Sequence, residues 1–312
     1  MRYKVLFPGI LALTILNIFA LNSWANFSMS DSGTTTAQFL KLGVGARAIG
    51  MGEAYSAVAA DPTAIYWNPA GLAAISEHSL SLMHAVWFES IYYDYFAYAQ
   101  PIGAYGVIGL GIQYLSAGDI VEMDNDANKI GNFNPTDTAV TISWAEDFQD
   151  ILIGLSIKYI AVEIKDAAST ISSDIGVIYP LFLNKAQVSF SMQNLGGTIK
   201  FDTEKEDLPF NARLGLSVNV LESLIVAMDV NTPIDYNPYV CFGGEYCLGK
   251  QNDFSLALRA GYNSHTLKSE LGGISGFSTG IGFKLWDIST DYAWVPFGDL
   301  GTTHRVSLGF KF

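Results

Sequence analysis

The residues that could carry chemistry are few and scattered. Gly276-Phe277-Ser278-Thr279-Gly280 has the spacing of a hydrolase nucleophile elbow, in which the serine sits on a sharp strand-to-helix turn. Here Ser278 falls inside a run of alternating polarity, so the turn is missing. His78, His84, His265 and His304 show no paired spacing for a general base or a metal. The run Gly43 to Gly52 lacks both the GxGxxG spacing and a preceding strand. These residues predict no cofactor, no metal and no enzyme. A Ser–His pair on an outer wall, making an acyl hydrolase, is the minor alternative.

Charge offers a different pattern. Asp94, Lys158, Arg213, Asp229, Glu245, Arg259, Lys284, Asp291, Arg305 and Lys311 fall on the polar side of alternating segments. Acids and bases are mixed, as in an interior salt-bridge network. Such a set serves wall electrostatics and the docking of an internal segment, or it lines a polar conduit. A lipid-facing Arg or Lys at mid-bilayer costs about 2–4 kcal/mol, so the inward assignment is the cheap one. Net charge is −13, and near −15 once Arg2 and Lys4 are removed. That disfavours nucleic acid as a partner. Cys241 and Cys247 share one strand; six positions span roughly 20 Å, too far for a disulfide, unless Gly243-Gly244 makes a hairpin.

The elements that must hold these residues follow from periodicity. Hydrophobic residues make up 50% and charged residues 15% of the chain, against about 25% charged in soluble domains. No window after the first 25 residues is apolar for long enough to span a bilayer as a helix. From residue 78 onward, segments of about ten residues alternate apolar with small or polar, the signature of membrane strands. Val306, Leu308, Phe310 and Phe312 oppose Arg305, Ser307, Gly309 and Lys311, for example.

Fourteen segments are expected: 78–86, 91–100, 104–115, 136–146, 151–162, 170–180, 186–195, 208–219, 222–230, 237–248, 253–262, 275–285, 286–294 and 303–312. Short connections alternate with long polar ones, matching the short periplasmic turns and long outer loops of bacterial barrels. An all-β transmembrane antiparallel barrel of about 14 strands is therefore the expected fold, and a soluble β-sandwich is the alternative. Tyr93, Tyr95, Trp144, Tyr159, Tyr246, Tyr262, Tyr292 and Trp294 are expected on the outer face as aromatic girdles. Phe312, the terminal residue of an amphipathic strand, reads as the signal recognised by the barrel-assembly machinery.

The two ends complete the organisation. Arg2 and Lys4, the apolar run Val5 to Ala20 and Ser23-Trp24-Ala25 form a signal peptide cleaved near Ala25, which directs export to the outer membrane. Residues 26–77 break the strand pattern yet are too apolar to hang in solvent. They are expected to fold as a hatch inside the barrel formed by 78–312, since a lumen this wide is often plugged. Within it, Pro69 fixes φ, Gly71 permits a sharp turn and Asn68 can bond nearby backbone. Arg47 needs a carboxylate such as Asp61 or a wall acid. Arg47, Asp61, Trp67, Asn68, Pro69, Ala70 and Gly71 are thus candidates for locking the hatch or for gating.

The run from Gly43 to Tyr55 and the run Asp61-Pro62-Thr63-Ala64-Ile65-Tyr66-Trp67-Asn68-Pro69-Ala70-Gly71-Leu72 closely resemble the N-terminal region of the FadL-type outer-membrane superfamily, in its PorV/PorQ branch. Gln193-Asn194-Leu195-Gly196 and Leu208-Pro209-Phe210-Asn211-Ala212-Arg213-Leu214-Gly215 resemble strand motifs of the same branch. The resemblance implies a monomeric barrel among outer-membrane lipids with one of two roles. FadL-type proteins pass small hydrophobic molecules, often through a lateral wall opening. PorV-type proteins instead anchor or shuttle the secreted protein cargo of type IX secretion.

Overall fold

The structure is a computed structural model and describes residues 33–87, 91–182, 185–201, 204–250, 254–267 and 273–312. The expected signal peptide, residues 1–25, lies outside the described residues.

Alternation of side chains makes each segment from residue 79 onward a strand. The first half comprises β1 (Ser79–Val86), β2 (Tyr92–Pro101), β3 (Val107–Ser116), β4 (Ile120–Met123), β5 (Lys129–Phe133), β6 (Thr136–Phe148), β7 (Ile151–Glu163), β8 (Ala167–Leu181) and β9 (Ala186–Leu195). The second half comprises β10 (Thr198–Phe201), β11 (Glu204–Asp207), β12 (Asn211–Leu221), β13 (Leu224–Pro233), β14 (Tyr239–Lys250), β15 (Phe254–Asn263), β16 (Phe277–Leu285), β17 (Ile288–Pro296) and β18 (Thr302–Lys311). Fourteen of these close one antiparallel barrel, in which β18 pairs with β1. The remaining four make two separate hairpins, β4–β5 and β10–β11. Closure excludes the sandwich alternative. No helix among the described residues is long and apolar enough to cross a membrane.

One end of the barrel carries short turns, such as 149–150 and 222–223, together with the chain terminus, where the Phe312 amide bonds the His78 carbonyl at 3.0 Å. The other end carries the longer connections and both hairpins. The shortest connection there is 164–166, because β7 and β8 run further than periodicity suggests. Cys241 and Cys247 both lie on β14 and are free; no hairpin forms at Gly243-Gly244.

The outer face is apolar and exposed: Ile142, Leu155, Ile157, Leu258 and Phe283 all stand out from the wall. The phase of β2 differs from the sequence expectation. Tyr93 and Tyr95 point inward and are buried, whereas Asp94 points outward. Two inward contacts set that phase. The Tyr93 hydroxyl donates to the Leu42 carbonyl at 2.9 Å and accepts from Gln113 Nε2 at 2.8 Å. Asp94 finds its partner outside, with its Oδ1 2.6 Å from His84 Nδ1.

The segment from Gly33 to Glu77 contacts inward faces on opposite sides of the ring. Its short helices, Ala46–Gly50 and Ala64–Trp67, are buried almost completely. Glycines on the wall define where it runs. A Cβ at Gly261 would fall on the Gly52 amide nitrogen, and one at Gly243 on the Met51 carbonyl. Across the barrel, a Cβ at Gly154 would strike the backbone of Pro69 and Ala70. Glycine inside a strand usually weakens it; here its missing side chain is what lets two backbones touch. Val44, Ile49, Tyr55, Ile65, Trp67 and Leu72 join Tyr93, Tyr95, Ala227 and Ala293 of the wall in one apolar cluster.

The obstacle is backbone, which cannot yield as a side-chain tip can. Gly154→Ala and Gly261→Ala are therefore each expected to destabilise the protein by about 1–3 kcal/mol, the usual cost of overpacking. Gly103→Ala puts a side chain at a positive φ of 65° but meets open space, and gives the comparison for backbone strain alone. Urea unfolding in lipid vesicles reads all three.

Candidate functional site

The N-terminal segment turns on Asn68 and Pro69. Asn68 is extended, with its Oδ1 accepting from the Ala70 amide at 3.1 Å, and Pro69 opens the 3-10 turn Pro69–Ala74. Asn68 Nδ2 reaches two carbonyls, Ser56 and Val177, each at 3.3 Å. A Cβ at Gly71 would fall on the Ala59 carbonyl oxygen, so close approach rather than φ demands glycine there. Trp67 donates from Nε1 to the Val44 carbonyl at 2.9 Å, and Gln193 Nε2 bonds the Tyr66 carbonyl. Asp61 caps the following turn through the Thr63 amide at 2.8 Å and accepts the Tyr55 hydroxyl at 2.5 Å.

The charged residues of the wall assemble around this segment. Arg47 holds Glu245 with Nε at 2.8 Å and Nη2 at 2.6 Å, while its Nη1 lies 3.7 Å from Asp61. Arg259 takes the same Glu245 oxygen as Arg47 Nε at 2.6 Å and reaches Asp291 at 2.6 Å. Two bases and two acids thus alternate from the segment across β14, β15 and β17. Asp229 accepts the Tyr55 and Ser56 amides at 3.2 and 3.0 Å and lies 3.7 Å from Arg213. Lys158 pairs with Asp174 at 3.1 Å and bonds Asn194 at 2.7 Å. These contacts lie where the β8–β9 register shifts. Buried charges left unpaired are costly, which explains why the chain crowds them together.

Four members of the expected set stand apart from these pairs, two of which, Lys284 and Lys311, line a cavity at the turn end. Asp94 is on the outer wall. Arg305 is buried, with its guanidinium 5.2 Å from the Trp87 ring centre, and among the described residues no carboxylate lies within ion-pair distance of it. Arg213 similarly lies 4.7 Å from the Trp67 ring centre.

Cavities flank the segment. Toward the loop end lies one of about 400 Å³, lined by Leu40, Ile49, Tyr66 and Tyr239, with Arg213 and Arg305 at its edge. Toward the turn end lies one of about 280 Å³, lined by Arg47, Asp61, Glu245, Arg259, Lys284 and Lys311. The N-terminal segment separates them. Its start is tied to the loop end: Asp235 Oδ2 accepts Thr35 Oγ1 at 2.6 Å, Lys41 Nζ at 2.7 Å and Gln38 Nε2 at 3.2 Å. Burial alone would raise the Asp235 carboxyl, but the bonds from Lys41, Thr35 and Gln38 outweigh it and hold it below its ordinary value.

The hydrolase elbow dissolves on inspection. Ser278 lies within β16 and its Oγ donates to the Gly50 carbonyl at 3.4 Å. On the outer wall, the His84 ring bonds Asp94, and the His304 ring bonds Tyr292 and Thr302. Among the described residues, no group of three or more His, Cys, Asp or Glu could hold a metal.

The sequence profile of the type IX secretion system protein PorV matches residues 27–231. The chain belongs to the PorV family. No curated protein matches it by sequence. Among solved structures, the toluene transporter TbuX of Ralstonia pickettii superposes with a TM-score of 0.60 at 13% identity, covering 86% of this chain and 98% of that one. The toluene transporter TodX of Pseudomonas putida gives 0.58 at 11%, covering 86% and 98%. A FadL homologue from Pseudomonas aeruginosa gives 0.53 at 11%, covering 85% and 97%. At these identities the likeness is one of fold. Family and fold together place this PorV-family chain among outer-membrane β-barrel proteins.

Sequence reasoning missed several residues of this region. Glu53, whose Oε2 accepts from Asn263 Nδ2 at 3.0 Å, and Lys41, Asp174 and Asp235 gave no local sign of their partners, which lie far away in the chain. The wall glycines did give one, since a glycine inside a strand flags close backbone approach.

Glu245 carries two guanidiniums. Glu245→Gln is expected to cost about 3–5 kcal/mol, the usual price of breaking a buried pair. Adding Arg47→Gln should then cost less than it does alone, as a double-mutant cycle in urea will read. At the loop end the Asp235 value is depressed on folding. Its clasp stabilises fully above the unfolded value of about 3.9, and that contribution falls away as pH drops through the lower folded value. Asp235→Asn should flatten this acid limb of the stability profile.

Proposed function

We propose that this chain is an outer-membrane channel for small hydrophobic molecules, with residues 26–77 as a hatch in the barrel 78–312. The signal peptide 1–25 directs export, and the mature chain acts as a monomer with its turn end toward the periplasm. The observation that carries the proposal is the cavity of about 400 Å³ between the segment and the loop end. Its volume falls in the range of small-molecule sites, about 300–1,000 Å³. Its lining mixes aliphatic and aromatic side chains with two buried arginines that could hold a polar end. The second cavity beneath the segment supplies an exit, so passage requires the segment to shift. Arg47, Asp61, Trp67 and the Asn68-Pro69-Ala70-Gly71 turn are then the groups that hold or release it. The toluene transporters that share the fold carry hydrophobic cargo by their names, which supports the same class here.

A second reading has its own support. The family is named for type IX secretion. Among the described residues, neighbouring wall strands pair around the whole ring, with no gap for lateral exit. The hairpins β4–β5 and β10–β11 rise from the loop end, where they could grip a secreted protein.

Mass spectrometry of molecules retained after purification in an exchangeable detergent separates the two. A specific hydrophobic compound supports transport. Bulk lipid alone, with a secreted protein copurifying, supports anchoring. For the hatch itself, replacing Asn68 and Pro69 with Ala is expected to raise conductance in planar bilayers while the barrel stays folded. Unchanged, closed traces would count against a hatch held by this turn.

A further inference from the structure

The outer wall carries a polar pair where lipid should be. His84 and Asp94 face outward from β1 and β2, their side chains 54% and 48% exposed, with Nδ1 and Oδ1 2.6 Å apart. Each occupies the second outward position from the loop end of its strand. Tyr92 stacks on His84 at 5.9 Å, and Tyr114 lies opposite Asp94 on β3. The Tyr292 hydroxyl meets His304 Nδ1 at 2.7 Å on the neighbouring pair of strands. Aromatic residues with polar tips mark the bilayer interface, so this tier lies at headgroup depth. Directly below it, a groove of about 380 Å³ runs along the wall between Leu82, Phe96, Ile112, Val306 and Leu308, with His84, Asp94 and Tyr114 at its head.

We propose that this groove binds one lipid with a primary-ammonium headgroup. The apolar floor fits an acyl chain. The head of the groove offers acceptors, foremost the Asp94 carboxylate. Asp94 Oδ1 is taken by His84, and among the described residues no hydrogen bond occupies Oδ2. In the tautomer that donates from Nδ1 to Asp94, His84 presents its Nε2 lone pair outward. No Lys or Arg lines the groove, so nothing there would attract a phosphate as strongly as Asp94 attracts an ammonium. A carboxylate facing lipid is costly unless it is well bonded; His84 supplies one partner, and a charge-assisted bond from an ammonium supplies a second. The inference rests on the wall facing lipid and not on whether the lumen conducts.

The test uses the full-length mature protein in vesicles of equimolar phosphatidylethanolamine and phosphatidylcholine with identical acyl chains, followed by native mass spectrometry of retained lipid. The wild type should retain one phosphatidylethanolamine in preference to phosphatidylcholine by about tenfold, the worth of a hydrogen bond to a charged group. Asp94→Asn should bring the ratio close to parity. Leu308→Trp, which fills the groove, should lower retention of both lipids. Both positions lie on the outer wall, and a heat-modifiable gel shift confirms that each variant is folded. Equal retention of the two lipids by the wild type, or unchanged retention in either variant, overturns the proposal.

Discussion

Inside a bilayer no water is available to satisfy backbone amides, so every one must be met within the protein. For strands this forces a closed ring, and here β1 meets β18 to complete it. Closure has a consequence for the interior. Fourteen strands enclose more volume than their own inward side chains fill. The inward side chains of this wall are also small, many of them Ser, Ala, Gly or Thr. Residues 33–77 pack against these inward faces, and their path follows the glycines of β7, β14, β15 and β16. Wall and segment therefore specify one another: bulk added to one would displace the backbone of the other.

The same burial governs the charges. Arg47 enters the apolar interior only because Glu245 waits on β14, and Glu245 is tolerable only because Arg259 shares it. Asp291 then completes the neutralisation. The alternation of sign turns an electrostatic cost into a fastening between one short helix and three strands. Asp229 does the same with backbone, since its carboxylate collects the amides of Tyr55 and Ser56 where the segment reverses.

Much of this was legible in the sequence, for a physical reason. A strand wetted by lipid on one face and packed on the other must alternate, and the alternation shows in the residues themselves. That is why fourteen segments could be placed from β1 to β18, and why Lys158, Arg213, Asp229, Glu245 and Arg259 were assigned inward. The phase of β2 was not legible. Tyr93-Asp94-Tyr95 alternates equally well in either phase, and charge alone favoured putting Asp94 inside. The answer lay in the Leu42 carbonyl and in His84, distant partners that periodicity cannot show. The hairpins β4–β5 and β10–β11 were hidden for another reason: they sit inside long polar connections and alternate only weakly. The cavities were hidden too, because a void is a property of packing and not of any segment.

The two ends of the N-terminal segment are held in different ways, and this limits how it can move. Residues 69–74 are interlocked with the backbone of β7 near Gly154, and a few residues later the chain becomes β1. That end cannot leave without unpairing the wall. The start is held at the loop end by the Asp235 carboxylate, by a bridge from Thr35 to Asp207, and by Phe39 and Leu40, which are buried against Ala139, Ile160, Ile199 and Leu208. Between them stands Arg47, which cannot withdraw without leaving Glu245 and Asp291 to share Arg259 alone. The segment is thus fastened at one end by interlocked backbone and at the other by a carboxylate and an apolar cluster, with the Arg47 ion pairs between them.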